Sequence, residues 1–327
     1  MERMNINTAE QNMQSILMQA RRIESLCRDY TVGNISRQMR VREDNNFVDY
    51  LTAEGFKTSP MKPWAQGMLC SKMGVPNSYI QKLQEANAFG LAANNINFWL
   101  ENAGNQDMFI RTYDDRIRAF TSTRYCPYDS DRIMEVLCKA INEDEWSVRG
   151  SFVDEERLHI RLINRELLDP DDDLYFALFI DSSDVCKSTL VIRIGIYKQV
   201  CTNGLMISRA GGTLFRQRHY SICKEEFEYG VISALKRVPQ LYDRVREYVK
   251  VAKEKKLEFT DLDSIIKSVK ENASVSEETA MKIIDLLPRY GQNKWGLINS
   301  ITEVAQEFTL DERLRLEEVA GDLLIAA

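Results

Sequence analysis

Arginine alternates with aromatic residues at two places in this chain. Phe109, Arg111 and Tyr113 share one parity, Arg116, Arg118 and Phe120 share another, and further on Arg193, Tyr197 and Gln199 do the same. Side chains alternate across a strand, so each set would occupy one face of a sheet. Ile110, Ile117 and Ala119, and later Ile192, Ile194 and Ile196, would fill the opposite, core-facing side. With Asp114–Asp115 as a two-residue turn, Tyr113 falls opposite Arg116, Arg111 opposite Arg118 and Phe109 opposite Phe120. Guanidinium groups hold phosphates, and rings stack on unpaired bases at about 1–3 kcal/mol each, so such a face suits single-stranded nucleic acid. The same pattern also describes a cation–π layer beneath a covering helix. Parity alone does not separate the two.

Charge points the same way. The 327 residues carry a net charge of −6, which argues against a general nucleic-acid binder. Its distribution is uneven, however. Between Val185 and Cys223 there is no Asp or Glu, whereas Lys187, Arg193, Lys198, Arg209, Arg216 and Arg218 are all present. The stretch is +6 and the remainder −12. Buried strands would exclude acids, but they would exclude bases as well, so the stretch reads as a basic surface.

Catalytic and metal chemistry finds less support. His159 and His219 are the only histidines, which rules out a three-histidine metal site. Asp169, Asp171, Asp172 and Asp173 crowd one loop but lack the glycine and distal glutamate of a calcium loop, so they read as a solvated turn. No glycine-rich phosphate loop or nucleophile elbow occurs, and no catalytic residue, metal or cofactor is assigned. A metal nuclease would need scattered carboxylates such as Glu166, Asp181 and Asp184 to converge. Seven dispersed cysteines without a C-x-x-C pair fit free thiols in a reducing compartment. The longest apolar run, Leu174–Ile180, is too short to span a bilayer, and the N-terminus lacks a signal-peptide core. A cytoplasmic protein that does not meet a membrane is expected.

These residues must be carried by an α+β fold, a central mainly antiparallel sheet flanked by N-terminal and C-terminal helical regions. Helical spacing covers 9–30, and pieces of 64–103 follow. Strands are expected at 108–113, 116–121, 146–153, 157–163, 174–181 and 189–199, with a helix at 129–142 and a hairpin turn at Gly211–Gly212. From 224 onward the period is helical, broken at Pro239 and Pro288. Three segments result: a helical arm at 1–60, an α+β core at 61–223 and a helical region at 224–327.

The segment Arg118–Tyr125 (RAFTSTRY), the segment Ile196–Gly204 (IYKQVCTNG) with His219 downstream, and the block Trp295–Thr302 (WGLINSIT) resemble a phage- and plasmid-borne family known as domain of unknown function 932. The resemblance runs from about residue 60 to the end. It implies a mobile-element origin and a cytoplasmic setting, and it marks Arg118, Arg124, Tyr125, Cys201, Asn203, Gly204 and His219 as motif residues. Asn203–Gly204 could supply a turn with positive φ. The expected function is single-stranded DNA binding or annealing by a homo-oligomer. Arg111, Tyr113, Arg116, Arg118, Phe120, Arg124, Tyr125, Arg193, Tyr197, Lys198, Asn203, Arg216, Arg218 and His219 would form the nucleic-acid surface. The alternatives are a protein that binds a host partner and antagonises a defence system, and a metal-dependent nuclease.

Overall fold

Apolar residues at every second position between Trp146 and Lys198 commit that region to a sheet with one dry face. Ile160, Leu178 and Ile194, on neighbouring strands of that face, are all buried. The computed structural model describes residues 12–44, 46–198, 203–207, 212–220 and 224–325. It begins with helix α1 (Met13–Ser25), strand β1 (Cys27–Val32), the single turn α2 (Ile35–Gln38), and strands β2 (Met39–Val41), β3 (Phe47–Thr52) and β4 (Gly55–Pro60). Helices α3 (Pro63–Lys72), α4 (Asn77–Glu85) and α5 (Phe89–Glu101) follow, then the hairpin β5 (Met108–Tyr113) and β6 (Arg116–Thr121). Helix α6 (Ser130–Ala140) precedes β7 (Trp146–Val153), β8 (Arg157–Asp169), β9 (Leu174–Ser183), β10 (Leu190–Lys198), β11 (Asn203–Ile207) and β12 (Thr213–Gln217). The chain continues through α7 (Lys224–Lys236), α8 (Tyr242–Glu254), α9 (Phe259–Ala273), α10 (Glu277–Tyr290), α11 (Lys294–Val304) and α12 (Leu310–Ile325).

The fold is α+β, with antiparallel pairing throughout its sheets. The main sheet has the order β11-β10-β9-β8-β7, and β12 pairs with the first half of β10 on the side that β11 leaves open. Gly195 is where β11 and Phe179 press on β10: a Cβ there would lie 2.0 Å from the Leu205 carbonyl oxygen. Two smaller sheets, β1-β5-β6 and β2-β3-β4, accompany it.

Burial sorts these elements into two cores. Val48, Tyr50, Leu69, Ile96, Ile110 and Ile117 belong to the smaller, built from β1 to β6 and α3 to α5. The larger joins α1 and α6 to one face of the main sheet and to the C-terminal helices. The smaller unit is therefore an insertion between α1 and α6. On the opposite face of the main sheet, Leu310 and Leu314 of α12 pack on Ile163, Ala177, Phe179 and Tyr197. Among the described residues no helix is long and apolar enough to cross a membrane.

Several expectations change. Residues 27–60, read as helical, hold β1 to β4. Their strands are short, three to six residues each, and carry polar residues such as Arg28, Asp29, Arg40 and Asp49, so their composition resembles a loop. Pro288 does not end its helix, because it sits in the last turn of α10, where the chain runs on to the cap at Gly291. Asn203 and Gly204 are not at a turn. They open β11, opposite Lys198 and Tyr197. The acidic loop is more than a solvated turn: Lys253 Nζ lies 2.7 Å from both Asp169 and Asp172, and Trp295 Nε1 donates to Asp172 at 3.1 Å. It fastens α8 and α11 to the end of β8. Gly211 of the expected hairpin, Gln199, Cys201 and Arg209 lie outside the described residues.

Candidate nucleic-acid interface

The hairpin β5–β6 turns at Asp114–Asp115, both with positive φ (47° and 58°), the backbone that matches strand twist in a two-residue loop. Tyr113 faces Arg116 as expected. A bulge then shifts the register, so Arg111 faces Ala119, Phe109 faces Thr121, and Arg118 becomes the extra residue. Neither Arg111 nor Arg118 reaches solvent; both are 0% exposed.

Arg111 is instead the centre of a buried polar junction between the two cores. Its Nε and Nη2 donate to the two oxygens of Asp29 on β1, at 2.9 and 3.1 Å. Its Nη1 donates to Asp129 at 2.8 Å, to the Tyr125 hydroxyl at 2.9 Å and to the Asp184 carbonyl at 2.7 Å. Arg118 donates to the Glu155 carbonyl and lies 3.8 Å from Asp129 and 4.0 Å from Asp184. Asp184 accepts from the backbone and hydroxyl of Ser130, at 3.3 and 3.0 Å. Burial works to raise Asp129, but the charge and hydrogen bonds of Arg111 and the charge of Arg118 outweigh it and hold Asp129 below its ordinary value. Asp184 goes the other way: burial and the neighbouring Asp129 push it up to about 7. A carboxyl raised in the folded state contributes most to stability below its unfolded value of 3.8, and that contribution is lost as pH climbs toward 7. Asp184→Asn should therefore raise the thermal midpoint more at about pH 8 than at about pH 5. A gain that does not change with pH would remove Asp184 as the titrating group.

The second arginine face is covered too. Arg193 Nη2 lies 2.7 Å from Glu318 of α12 and its Nη1 3.6 Å from Asp181. Arg161 donates to Glu317 at 2.8 Å, both of them buried, and Tyr197 is buried under the same helix. Lys198 lies 3.7 Å from Asp172. The proposed two-part sheet surface is thus two internal layers, because charged side chains of α12 and of the inter-core junction lie against its guanidinium groups. Phe120 is in the smaller core, Arg116 is exposed at the hairpin turn, and Lys62 sits over the Tyr113 ring at 5.2 Å. Among the described residues no group of three His, Cys, Asp or Glu side chains is arranged to hold a metal ion.

Among the described residues of the acid-free stretch, the exposed ones lie toward its two ends, and these ends meet. The β9–β10 loop is pinned by Ser183, whose hydroxyl accepts from the Val185 and Lys187 amides at 3.3 and 3.0 Å, and by Trp64 Nε1, which donates to the Val185 carbonyl at 2.9 Å. Beyond β12, Tyr220 bridges to Tyr125, and the Cys126 amide donates to the His219 carbonyl at 3.2 Å. The His219 ring stacks on Tyr125 with centroids 5.5 Å apart and shares a hydrogen bond of 3.2 Å with the Ser182 hydroxyl. Burial pushes His219 down to about 4, so the ring is neutral at neutral pH. Arg124 lies over the Tyr220 ring at 4.6 Å.

Two open cavities adjoin at Lys187, Ser188 and Thr189. One, of about 490 Å³, is walled by α3 (Met68, Lys72), the end of β6 (Phe120, Thr121, Ser122), Tyr125, the β9–β10 loop and Arg218–Tyr220. The other, of about 680 Å³, runs on past Trp64, Arg157, Arg193, Arg216 and Arg315. Together they form a groove lined by seven bases and three carboxylates, Asp181, Asp311 and Glu318, for a net charge of +4. Lys72, Lys187, Arg216, Arg218 and Arg315 are exposed.

Of the residues expected at the surface, Arg216, Arg218, Tyr125 and His219 line the groove and Arg124 sits at its edge, while Arg193 joins only as a paired base. Asn203 opens β11. Sequence reasoning missed Trp64, Lys72, Tyr220 and Arg315, and it counted Lys187 in the basic stretch without naming it among the contact residues. Tyr220 follows the motif histidine and Lys187 begins the acid-free stretch, so both were within reach of the motifs. Trp64, Lys72 and Arg315 come from distant helices and have no local signal.

The fold and groove define an α+β protein with two cores and a basic, aromatic-edged channel between and beside them. The chain belongs to the family described as Domain of unknown function (DUF932), whose model matches residues 119–318, more than half of its length. No curated protein and no solved structure matches it.

Proposed function

We propose that this protein binds single-stranded nucleic acid, DNA in the first instance, along the groove, as a binding or annealing factor in the recombination or replication of a mobile element. The observation that carries the reading is the convergence of both ends of the acid-free stretch with Lys72 and Arg315 on one open channel of net +4 in a chain of net −6. Such a channel concentrates a polyanion locally although the molecule as a whole repels it. Trp64 and Tyr220 are partly exposed at the groove, each with a cation (Lys187 and Arg124) over its ring, and their remaining open surface is of the kind that unpaired bases can stack on and paired bases cannot.

The test is an anisotropy titration with labelled single- and double-stranded DNA at several salt concentrations, with and without magnesium. Preference for the single strand is expected, with affinity falling on a log–log salt slope of about −3 if some four phosphates are neutralised. No binding at low salt, or magnesium-dependent cleavage of the probe, would overturn the reading.

A further inference from the structure

The smaller cavity differs from the rest of the groove in having an apolar, aromatic wall as well as a basic rim. Met68 and Tyr125 supply the wall beside the fully buried Phe120, Tyr220 stands partly exposed at the mouth, and Lys72, Lys187 and Arg218 carry the charge. A volume of about 490 Å³ is within the usual size of small-molecule sites. The hydroxyls of Ser122, Ser188 and Thr189 add polar groups on the same lining. Aromatic surface beside clustered cations matches a ligand that joins a flat ring to an anion.

We propose that this cavity seats a single nucleotide unit, its base against the Met68 and Tyr220 side and its phosphate among Lys72, Lys187 and Arg218. This rests on reading the groove as a track for a single strand, of which the cavity would hold one unstacked base. A free mononucleotide has the same chemistry, and the experiment separates the two sources.

Three probes are compared by anisotropy and calorimetry: an intact single-stranded oligonucleotide, one of equal length and charge with abasic residues, and free deoxynucleoside monophosphates. Each is measured with the wild-type protein, with Tyr220→Ala, which alters an exposed ring, and with Ser122→Phe, which fills the cavity without removing a charge. The intact strand should bind about 100-fold tighter than the abasic one, about tenfold for each base stacked at Tyr220 and at Trp64, and each variant should erase the tenfold share of this cavity while leaving the abasic affinity unchanged. Saturable binding of free mononucleotides that Ser122→Phe abolishes would support the same site with the free source. Equal binding of intact and abasic strands, without mononucleotide binding, would overturn the base site and leave the groove reading standing. If no strand and no mononucleotide binds, both fall.

Discussion

Arg111→Ala is expected to destabilise the folded chain by about 3–5 kcal/mol, the loss that follows when one partner of a buried ion pair is removed. The guanidinium touches Asp29, Asp129, Tyr125 and the Asp184 carbonyl, and its removal leaves a buried Asp129 carboxylate with only the more distant Arg118 to offset it. Urea denaturation followed by tryptophan fluorescence measures the change. Arg116→Ala, at the exposed hairpin turn, should cost less than about 0.5 kcal/mol and serves as the comparison. Adding Asp129→Asn to Arg111→Ala should recover part of the loss, because the uncompensated charge then disappears. Equal midpoints for Arg111→Ala and Arg116→Ala would refute the junction as a structural clamp. The prediction also means that weakened binding by an Arg111 variant would report on folding, not on contact with a nucleic acid.

The larger effect on binding should come from Lys187→Ala, Arg216→Ala and Arg218→Ala combined. All three are exposed, and their one ion pair among the described residues, between Lys187 and Glu156, is at the surface, so the variant should keep its unfolding midpoint. Each phosphate contact on a single strand contributes about 0.7 to the log–log salt slope, so the slope should flatten by about 2 and affinity near 0.1 M salt should drop about 100-fold. Arg116→Ala should keep full affinity, since Arg116 does not line the groove. A triple variant with the wild-type slope would exclude this channel as the track.

The contrast between these two sets of arginines shows where sequence was informative. The α+β class, the hairpin turn at Asp114–Asp115 and the C-terminal helices follow from local period and turn chemistry, which act within a few residues. Arg111, Arg118 and Arg193 have the parity of a shared face, but parity says only that they oppose an aliphatic face. Whether solvent, a second core or helix α12 lies over them is decided by residues such as Asp129, Glu317 and Glu318, far along the chain. The N-terminal strands were hidden for a different reason: with three to six residues each, they bury too little to stand out from loop composition.

The inserted arrangement of the smaller core has a consequence for how the groove is inherited. Residues 119–318, the part matched by the family, supply Tyr125, the β9–β10 loop and Arg218–Tyr220, together with the last residues of the insertion's strand β6. Trp64, Met68 and Lys72 belong to the insertion and lie outside that match. The channel is therefore a composite of a family half and a module half. Grafting a different module between α1 and α6 would exchange one wall while leaving the other in place.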